Sequence, residues 1–252
     1  MARKETKTLL TGGTGSLGQA IMQLKVIPNI LSPRRGELDI TEPQSIRKFI
    51  TYHHVGAVVH CAAMARMKVC EHDPIGAINT NIIGTANVVK EVIRYETTNH
   101  TTIRFIHVST DGVYESTRGN YSEKDPTIPY NMYGWTKLGA ETSVHLLRNF
   151  CIIRTRFFNP KKIKFQNAAT DIFTSSIPID KLAGAIGKLL TSDFIGTINI
   201  GDTKLSEYVR YKTYVPSIKP CSRKDIIKHQ NFQLAKDASM NIQLWRMLQM
   251  SL

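Results

Sequence analysis

The 252-residue sequence has no apolar stretch near the ~20 residues that a membrane-spanning helix needs, so we expect no membrane partner. Its first residues lead directly into a strand-like Thr8–Leu10 without an apolar signal core, so we expect no secretory signal. The four cysteines form no Cys-x-x-Cys pair, which argues against a zinc site or a disulfide framework and is typical of a reducing compartment. We therefore expect a cytoplasmic, globular protein that holds no metal.

Acidic residues are also scarce. There are 20 aspartates and glutamates against 33 lysines and arginines, a net charge of +13 that attracts anions. The basic residues are scattered in pairs such as Arg34–Arg35 and Lys161–Lys162 rather than gathered in a block. Without a zinc-finger spacing or an aromatic-basic motif, this pattern favours a phosphorylated small molecule over nucleic acid as partner.

Buried strands and amphipathic helices alternate along the first part of the chain. The predicted strands are residues 7–11, 27–32, 57–61, 104–108 and 151–154, and the predicted helices are 16–25, 41–50, 74–95 and 132–148. This alternation predicts an α/β fold with a doubly wound parallel sheet in residues 1–156. The pattern weakens afterwards, with one helix at 180–190 and one strand at 197–200. Residues 157–252 are predicted to form a small C-terminal lobe, interleaved with the sheet rather than independent.

A glycine-rich loop, Thr11–Gly18, follows the first strand and opens the first helix. Glycines three residues apart allow a tight turn whose amides approach a pyrophosphate, and the positive end of the helix stabilises that anion. The strand-loop-helix context favours dinucleotide binding over an ordinary turn. The candidate cofactor residues of this loop are Gly12, Gly15, Ser16, Leu17 and Gly18.

The end of the second strand indicates which dinucleotide binds. A carboxylate there selects NAD through the ribose hydroxyl, whereas arginine pairs with the 2′-phosphate of NADP. This chain has Ser32, Arg34 and Arg35 at that place, which favours NADP(H) over NAD(H), although two solvated loop arginines are the alternative. Asp39–Ile40 follows and is assigned either to the adenine edge or, for Asp39, to a local turn cap.

Three residues are candidates for proton transfer. Thr110 lies just past the fourth strand, and the carboxyl ends of parallel strands face the ligand crevice. Tyr133 and Lys137 are four residues apart, so they share one face of a helix. An ammonium beside a phenol lowers the pKa of that phenol toward neutrality, which makes the phenol a better acid-base catalyst.

The chain resembles the extended short-chain dehydrogenase/reductase superfamily, which has a Rossmann-type sheet. The matching motifs are Thr11-Gly12-x-x-Gly15-x-x-Gly18, Asp39-Ile40, His60-Cys61-Ala62-Ala63, Asn81-Ile82-Ile83-Gly84-Thr85, Ser109-Thr110-Asp111 and Tyr133-x-x-x-Lys137. Within that superfamily it is most similar to dTDP-4-dehydrorhamnose reductases and related sugar-nucleotide proteins. The resemblance implies that NADPH reduces a 4-keto-6-deoxy nucleotide sugar.

The resemblance also implies individual roles. Tyr133 would donate a proton to the carbonyl oxygen, Thr110 would hydrogen-bond that oxygen, and Lys137 would bind the nicotinamide ribose. Asn81 would serve the proton relay or, alternatively, would be a helix-interior residue bonded locally. Further cofactor contacts are expected from Cys61, Ala62 and Ala63, and substrate contacts from Arg66, Asp111, Arg156 and Phe158.

Alternatives remain within the same superfamily. Dehydratases carry an Asp-Glu pair after the threonine, whereas this chain has Asp111–Gly112, which argues against dehydration. An NAD-dependent 4-epimerase uses the same catalytic residues, and a regulatory subunit can bind NADP without catalysis. Related proteins dimerise through the two long helices, so we expect a homodimer through residues 74–95 and 132–148.

Overall fold

The structure is a computed structural model, and it describes residues 7–228 and 233–252. The strands are, in chain order, β1 (Lys7–Thr11), β2 (Ile30–Leu31), β3 (Val55–His60), β4 (Arg104–Val108), β5 (Phe150–Thr155), β6 (Phe157–Phe158), β7 (Asn167–Ala169), β8 (Phe173–Thr174), β9 (Ile177–Pro178), β10 (Gly196–Ile200), β11 (Leu205–Ser206) and β12 (Lys219–Cys221). The helices are α1 (Ser16–Leu24), α2 (Pro43–His53), α3 (Met67–His72), α4 (Pro74–Ala77), α5 (Gly84–Asn99), α6 (Met132–Val144), α7 (Ile179–Leu190), α8 (Glu207–Lys212), α9 (Arg223–Ile227) and α10 (Gln243–Gln249). A π-helical turn, Ile78–Ile83, joins α4 to α5.

Six parallel strands form the central sheet in the order β10-β5-β4-β3-β1-β2. Side chains alternate across each strand, so Leu9 enters the apolar layer under α2 and α5 whereas Leu10 enters the layer under α1 and α7. Helices therefore cover both faces, which confirms the predicted doubly wound α/β class. The strand order reverses between β1 and β3, the place where such sheets bind ligands.

The predicted lobe shares its elements with this sheet. The helix α7 packs on α1, and β10 pairs in register with β5, although both lie after residue 157. The other strands after residue 156 form three two-stranded sheets, in which β6 pairs with β9, β7 with β12 and β8 with β11. A boundary after Arg156 therefore does not divide the chain cleanly into sheet and lobe, because the later segment returns to the sheet and adds the edge strand β10.

The residues from 7 to 228 and from 233 to 252 include no helix that is both long enough and apolar enough to cross a membrane.

Candidate active site

The glycine loop between β1 and α1 is free of side chains where the backbone passes closest to its neighbours. Gly12 has a φ of 73°, in the left-handed region. A Cβ on Gly12 would lie 2.6 Å from the backbone nitrogen of Ala62, and one on Gly18 would lie 2.5 Å from the Gly12 carbonyl oxygen. In the described structure no side chain caps α1 at Gly15, so first-turn N–H groups are left for an anion. These features fit a dinucleotide pyrophosphate.

A groove of about 270 Å³ extends from this loop over the ends of β1 and β3. The predicted cofactor residues that line it are Gly12, Gly15, Arg35, Asp39, Ile40, Cys61, Ala62 and Ala63. The Arg35 guanidinium donates from Nε to the Asp39 carboxylate at 2.8 Å, and Thr41 donates to the other oxygen of Asp39 through its N–H and its hydroxyl. Asp39 therefore caps a local turn, which is one of the two assignments left open for it, and it also lines the groove.

The other two residues predicted at the second strand end lie differently. Among the described residues, Arg34 and Ser32 do not line the groove. Arg34 is exposed, and its backbone N–H donates to Glu37. The Ser32 hydroxyl instead lies against the glycine loop, where a Cβ on Gly13 would stand 1.8 Å from its oxygen. Of the two arginines, the structure therefore brings only Arg35 to the groove in the described part of the chain.

A second cleft, of about 720 Å³, opens beside the groove and shares Gly12, Gly15, Cys61 and Ala63 with it. Its volume is in the range of small-molecule sites. The other predicted residues that line this cleft are Ser16, Leu17, Gly18, Arg66, Thr110, Asp111, Tyr133, Lys137 and Arg156. The structure thus brings the predicted proton-transfer residues together at the carboxyl ends of the strands.

The environment of Tyr133 differs from the expected one. Burial raises the pKa of its hydroxyl, the charge of Asp111 raises it further, and a hydrogen bond with Thr110 acts in the opposite direction. The pKa therefore moves away from neutrality, not toward it as we expected. Burial of the hydroxyl is the main cause. The Lys137 ammonium instead has its Nζ 3.2 Å from Nε2 of His107, and burial lowers the pKa of Lys137 to about 8.

Asn81 lies within the π-helical turn and is fully buried. Its amide oxygen accepts from the backbone N–H of Met64 at 2.8 Å, and its amide nitrogen donates to the Met64 carbonyl and to Thr136. These contacts join the segment after β3 to α6. The alternative of a helix-interior residue bonded locally is therefore wrong, because these partners lie outside the helix of Asn81. Among the described residues, the amide makes no hydrogen bond to the side chain of Tyr133 or Lys137.

The end of the cleft beside Arg156, which is the predicted substrate end, holds a buried ion pair. Arg156 donates from Nε to Asp111 at 2.6 Å, and the Asp111 side chain is almost completely buried. The carboxylate of Asp111 raises the pKa of Arg156 despite the opposing effect of burial. Arg66, by contrast, is exposed at the start of α3 on the rim of the same cleft. Both arginines thus line the cleft, Arg156 in an ion pair and Arg66 at an exposed position.

The prediction for Phe158 is wrong by one residue. Phe158 is buried in the lobe, with ring centroids 5.6 Å from Tyr211 and 5.4 Å from Tyr214, and the neighbouring Phe157 lines the cleft instead. The physical reason is that successive side chains of an extended strand point to opposite sides. Residues on β6 could be assigned to the cleft only once the face of that strand was known.

Residues 6–168 match the family described as the RmlD substrate binding domain. The chain belongs to this family. A solved dTDP-4-dehydrorhamnose reductase from Bacillus anthracis, in complex with NADP, shares the fold with a TM-score of 0.84 and 22% identity. The alignment covers 96% of this chain and 92% of that one.

Two curated relatives match about half of the chain. A dTDP-4-keto-6-deoxy-D-glucose reductase from Streptomyces niveus is 34% identical over 139 residues, which cover 54% of this chain and 46% of the relative. The β subunit of methionine adenosyltransferase 2 from Rattus norvegicus is 29% identical over 147 residues, covering 55% and 42%. The aligned part thus spans about half the length of these curated relatives.

This family member also has cleft residues that sequence reasoning missed. Tyr130, Glu207 and Tyr211 line the substrate end beside Arg156. Burial raises the pKa of Glu207, although the charge of Arg156 acts in the opposite direction. Glu207 and Tyr211 lie on α8, far along the chain from every motif, so no local pattern pointed to them. Tyr130 stands three residues before Tyr133, and its position beside that motif was the available signal.

A second buried ion pair joins β5 to α6. Arg154 on β5 donates to Glu141 on α6 at 2.8 Å, and the Ser109 hydroxyl next to Thr110 also donates to Glu141.

Replacing Arg154 with methionine would leave the buried Glu141 carboxylate without its cation, so we expect the free energy of unfolding to fall by about 3 kcal/mol. Urea unfolding measures this. Lys181→Met, which breaks an exposed pair with Asp202, should cost less than about 0.5 kcal/mol, and equal losses would contradict the explanation.

Proposed function

We propose that this protein reduces a 4-keto-6-deoxy nucleotide sugar with NADPH. The observation that carries the proposal is a continuous site: Thr110, Tyr133 and Lys137 line a cleft that joins the glycine-loop groove at Gly12 and Cys61. A dinucleotide in the groove reaches the catalytic residues in such an arrangement. When bound, NADPH supplies the hydride.

Tyr133 is the proton donor in this proposal, and Thr110 holds the carbonyl oxygen next to it. The raised pKa of Tyr133 keeps its phenol protonated at neutral pH, as a donor must be, but also makes the phenol a weaker acid. Lys137 lies on the same helix one turn further and would donate from its ammonium to the nicotinamide ribose. Asn81 affects the site indirectly, because its hydrogen bonds join the segment after β3 to α6, the helix that carries Tyr133 and Lys137.

The substrate end fits a nucleotide sugar. Arg156 and Arg66 would bind the diphosphate, whereas Asp111 is already paired with Arg156 and would orient it. Tyr130 and Glu207 offer hydrogen-bonding groups to a sugar. We place Phe157, rather than Phe158, on the cleft side of the lobe.

Arg35 determines the preference for NADPH in this proposal. Its exposed guanidinium pairs with Asp39 at the groove and so offsets the negative charge that would otherwise repel a 2′-phosphate. Arg35→Ala should weaken NADPH binding about tenfold and change NADH binding little, as expected for one charge-assisted hydrogen bond. Arg34→Ala is the matched control, with a change below about threefold. Dissociation constants from cofactor fluorescence would show this, and an equal effect of both variants on NADPH would contradict it.

Loss of NADPH absorbance in the presence of dTDP-4-keto-6-deoxy sugars tests the proposed reaction. We expect turnover with at least one such sugar and none with the free nucleotide. An NAD-dependent epimerase would instead interconvert a UDP-hexose without net cofactor consumption. That result would show that the same site catalyses epimerisation rather than reduction.

A regulatory protein that binds NADP is the second candidate, and one observation favours it. The curated relative from Rattus norvegicus is a subunit named for its partner enzyme rather than for a reduction. If NADPH raises the melting temperature of the protein but no keto sugar is consumed, this second reading is correct.

We also propose a homodimer in the cytoplasm. Large apolar side chains are exposed on or beside the two predicted helices, namely Ile75, Ile78, Ile83 and Trp135. Burying them against a second copy would remove this surface from water. Light scattering should give twice the 28.4 kDa chain mass, and a single-chain mass would contradict the dimer.

We assign the substrate lobe to residues 157–252 apart from α7 and β10.

A further inference from the structure

Two histidines lie side by side in the layer between the sheet and the helices α5 and α6. His60 on β3 and His107 on β4 are register partners, and their rings stack with centroids 5.4 Å apart. Their exposed fractions are 1% and 0%, and burial lowers the pKa of both, to about 3 for His60. Both rings are therefore neutral at physiological pH, and each has one N–H and one acceptor nitrogen.

His60 uses both of its ring nitrogens. Thr85 donates its hydroxyl proton to the Asn81 carbonyl, so the Thr85 oxygen is left to accept from Nε2 of His60 at 3.0 Å. Nδ1 of His60 then accepts from the Thr11 hydroxyl at 2.7 Å. Thr11 ends β1 and leads into the glycine loop, so the hydrogen bonds of His60 with the hydroxyls of Thr11 and Thr85 explain its presence.

His107 is different, because it uses only one nitrogen. Nζ of Lys137 lies 3.2 Å from Nε2, and an ammonium can only donate, so Nε2 is the acceptor and the ring proton is on Nδ1. Nδ1 has no hydrogen-bond partner among the described residues. A buried N–H without a partner is unfavourable, and an apolar side chain would avoid that cost. Packing alone therefore does not explain a histidine here.

We propose that His107 is a positioning residue, which holds the ammonium of Lys137 at the floor of the cleft through Nε2. This inference rests on the proposed function, in which Lys137 binds the nicotinamide ribose. Among the described residues, His107 is the hydrogen-bond partner that the structure gives to Nζ. Without it, a side chain as long as lysine has several rotamers available and loses its defined position.

The same contact favours the charged form of Lys137. Burial lowers the pKa of Lys137 to about 8, and the carboxylate of Glu141 and the thiol of Cys61 act in the opposite direction. His60 and His107 face the ammonium from β3 and β4 as neutral rings, and Glu141 is already paired with Arg154. A neutral acceptor at hydrogen-bond distance stabilises the ammonium, so its removal lowers the pKa of Lys137 further.

A pair of variants separates the acceptor from the ring. His107→Leu and His107→Gln both remove the stacked ring, but the glutamine oxygen can occupy the place of Nε2. We expect the pKa of Lys137, followed by NMR of [13Cε]lysine-labelled protein, to fall by about one unit in the leucine variant. The glutamine variant should stay near the wild-type value. With a turnover assay, kcat should fall about tenfold for leucine and less than about threefold for glutamine.

The NMR titration needs no turnover, so it tests this contact even if the proposed reaction fails. Equal Lys137 pKa values in wild type and in a folded leucine variant would overturn the proposal. So would an equal fall in both variants, because ring packing would then be the cause. If the leucine variant does not fold, His107→Met, which has the length of glutamine but no amide, takes its place with the same two outcomes. Absence of NADPH consumption by the wild type would count against the proposed function alone.

Discussion

Tyr133→Phe should lower kcat for NADPH oxidation about 10³-fold and change NADPH affinity less than about twofold, because the variant loses only the proton donor. Phenylalanine keeps the ring, so the packing at the start of α6 is retained. Thr110 would still hydrogen-bond the carbonyl oxygen. Stopped-flow absorbance gives kcat, and fluorescence titration gives the dissociation constant.

Tyr130→Phe is the matched control for that variant. Its hydroxyl lines the same cleft beside Arg156, at the substrate end rather than beside Thr110. We expect a higher KM and a kcat within about fivefold of wild type, as for a group that binds ground state and transition state alike. If Tyr130→Phe removes activity and Tyr133→Phe does not, the proton donor has been assigned to the wrong tyrosine.

Gly12→Ala should weaken NADPH binding by at least about 100-fold, because two unfavourable effects combine in it. Alanine at a φ of 73° is strained by ~1–2 kcal/mol. The added Cβ would also stand 2.6 Å from the nitrogen and 2.8 Å from the Cα of Ala62, which are backbone atoms of β3's continuation. The loop must move to relieve this contact, and its amides would leave the pyrophosphate position. Isothermal titration with NADPH measures the loss.

Gly184→Ala provides the control, because a Cβ there would have no atom of another described element within 4 Å and the residue lies inside α7. We expect unchanged NADPH affinity and up to ~1 kcal/mol of added stability from the helix preference of alanine. Tight NADPH binding by the Gly12 variant would show that the dinucleotide lies elsewhere. Reduced binding by the Gly184 variant would show that the measurement reports general damage.

Strand positions were predictable where both faces of the strand are apolar. The predicted strands at residues 7–11 and 104–108 coincide with β1 and β4. Each contains two adjacent apolar residues, Leu9–Leu10 and Phe105–Ile106, which place one buried side chain on each face of the parallel sheet. The second strand was predicted as residues 27–32 and is only Ile30–Leu31. It is an edge strand, which has a hydrogen-bonded neighbour on one side only. The apolar residues before it therefore extend beyond the two residues that pair with β1.

Helix boundaries depended on contacts that a periodic pattern does not contain. The second helix was predicted to begin at residue 41, but the N–H and hydroxyl of Thr41 donate to Asp39, and the helix begins at Pro43 after Glu42. The predicted helix at 74–95 is interrupted by a π-helical turn around Asn81. The apolar spacing continues through that turn, so periodicity did not detect it, although such turns are frequent at functional sites.

The motif-bearing part of the site could be predicted, and the lobe side could not. Gly12, Thr110, Tyr133 and Lys137 follow strands or share a helix face, so topology brings them to one edge of the sheet. Glu207 reaches the cleft from a six-residue helix that no periodic pattern marks. The contact between His107 and Lys137 depends on the packing of α6 over β4, which follows from tertiary structure only.

Deuterium transfer from NADPH labelled at C4 of the nicotinamide tests the central claim, that the glycine loop and Tyr133 serve one hydride-transfer site. The protein is incubated with labelled NADPH and a dTDP-4-keto-6-deoxy sugar, and the sugar product is analysed by mass spectrometry. We predict one deuterium on the carbon that carried the carbonyl group, and none with Tyr133→Phe on the same timescale. Bound NADPH with no deuterium in any sugar product would contradict the account.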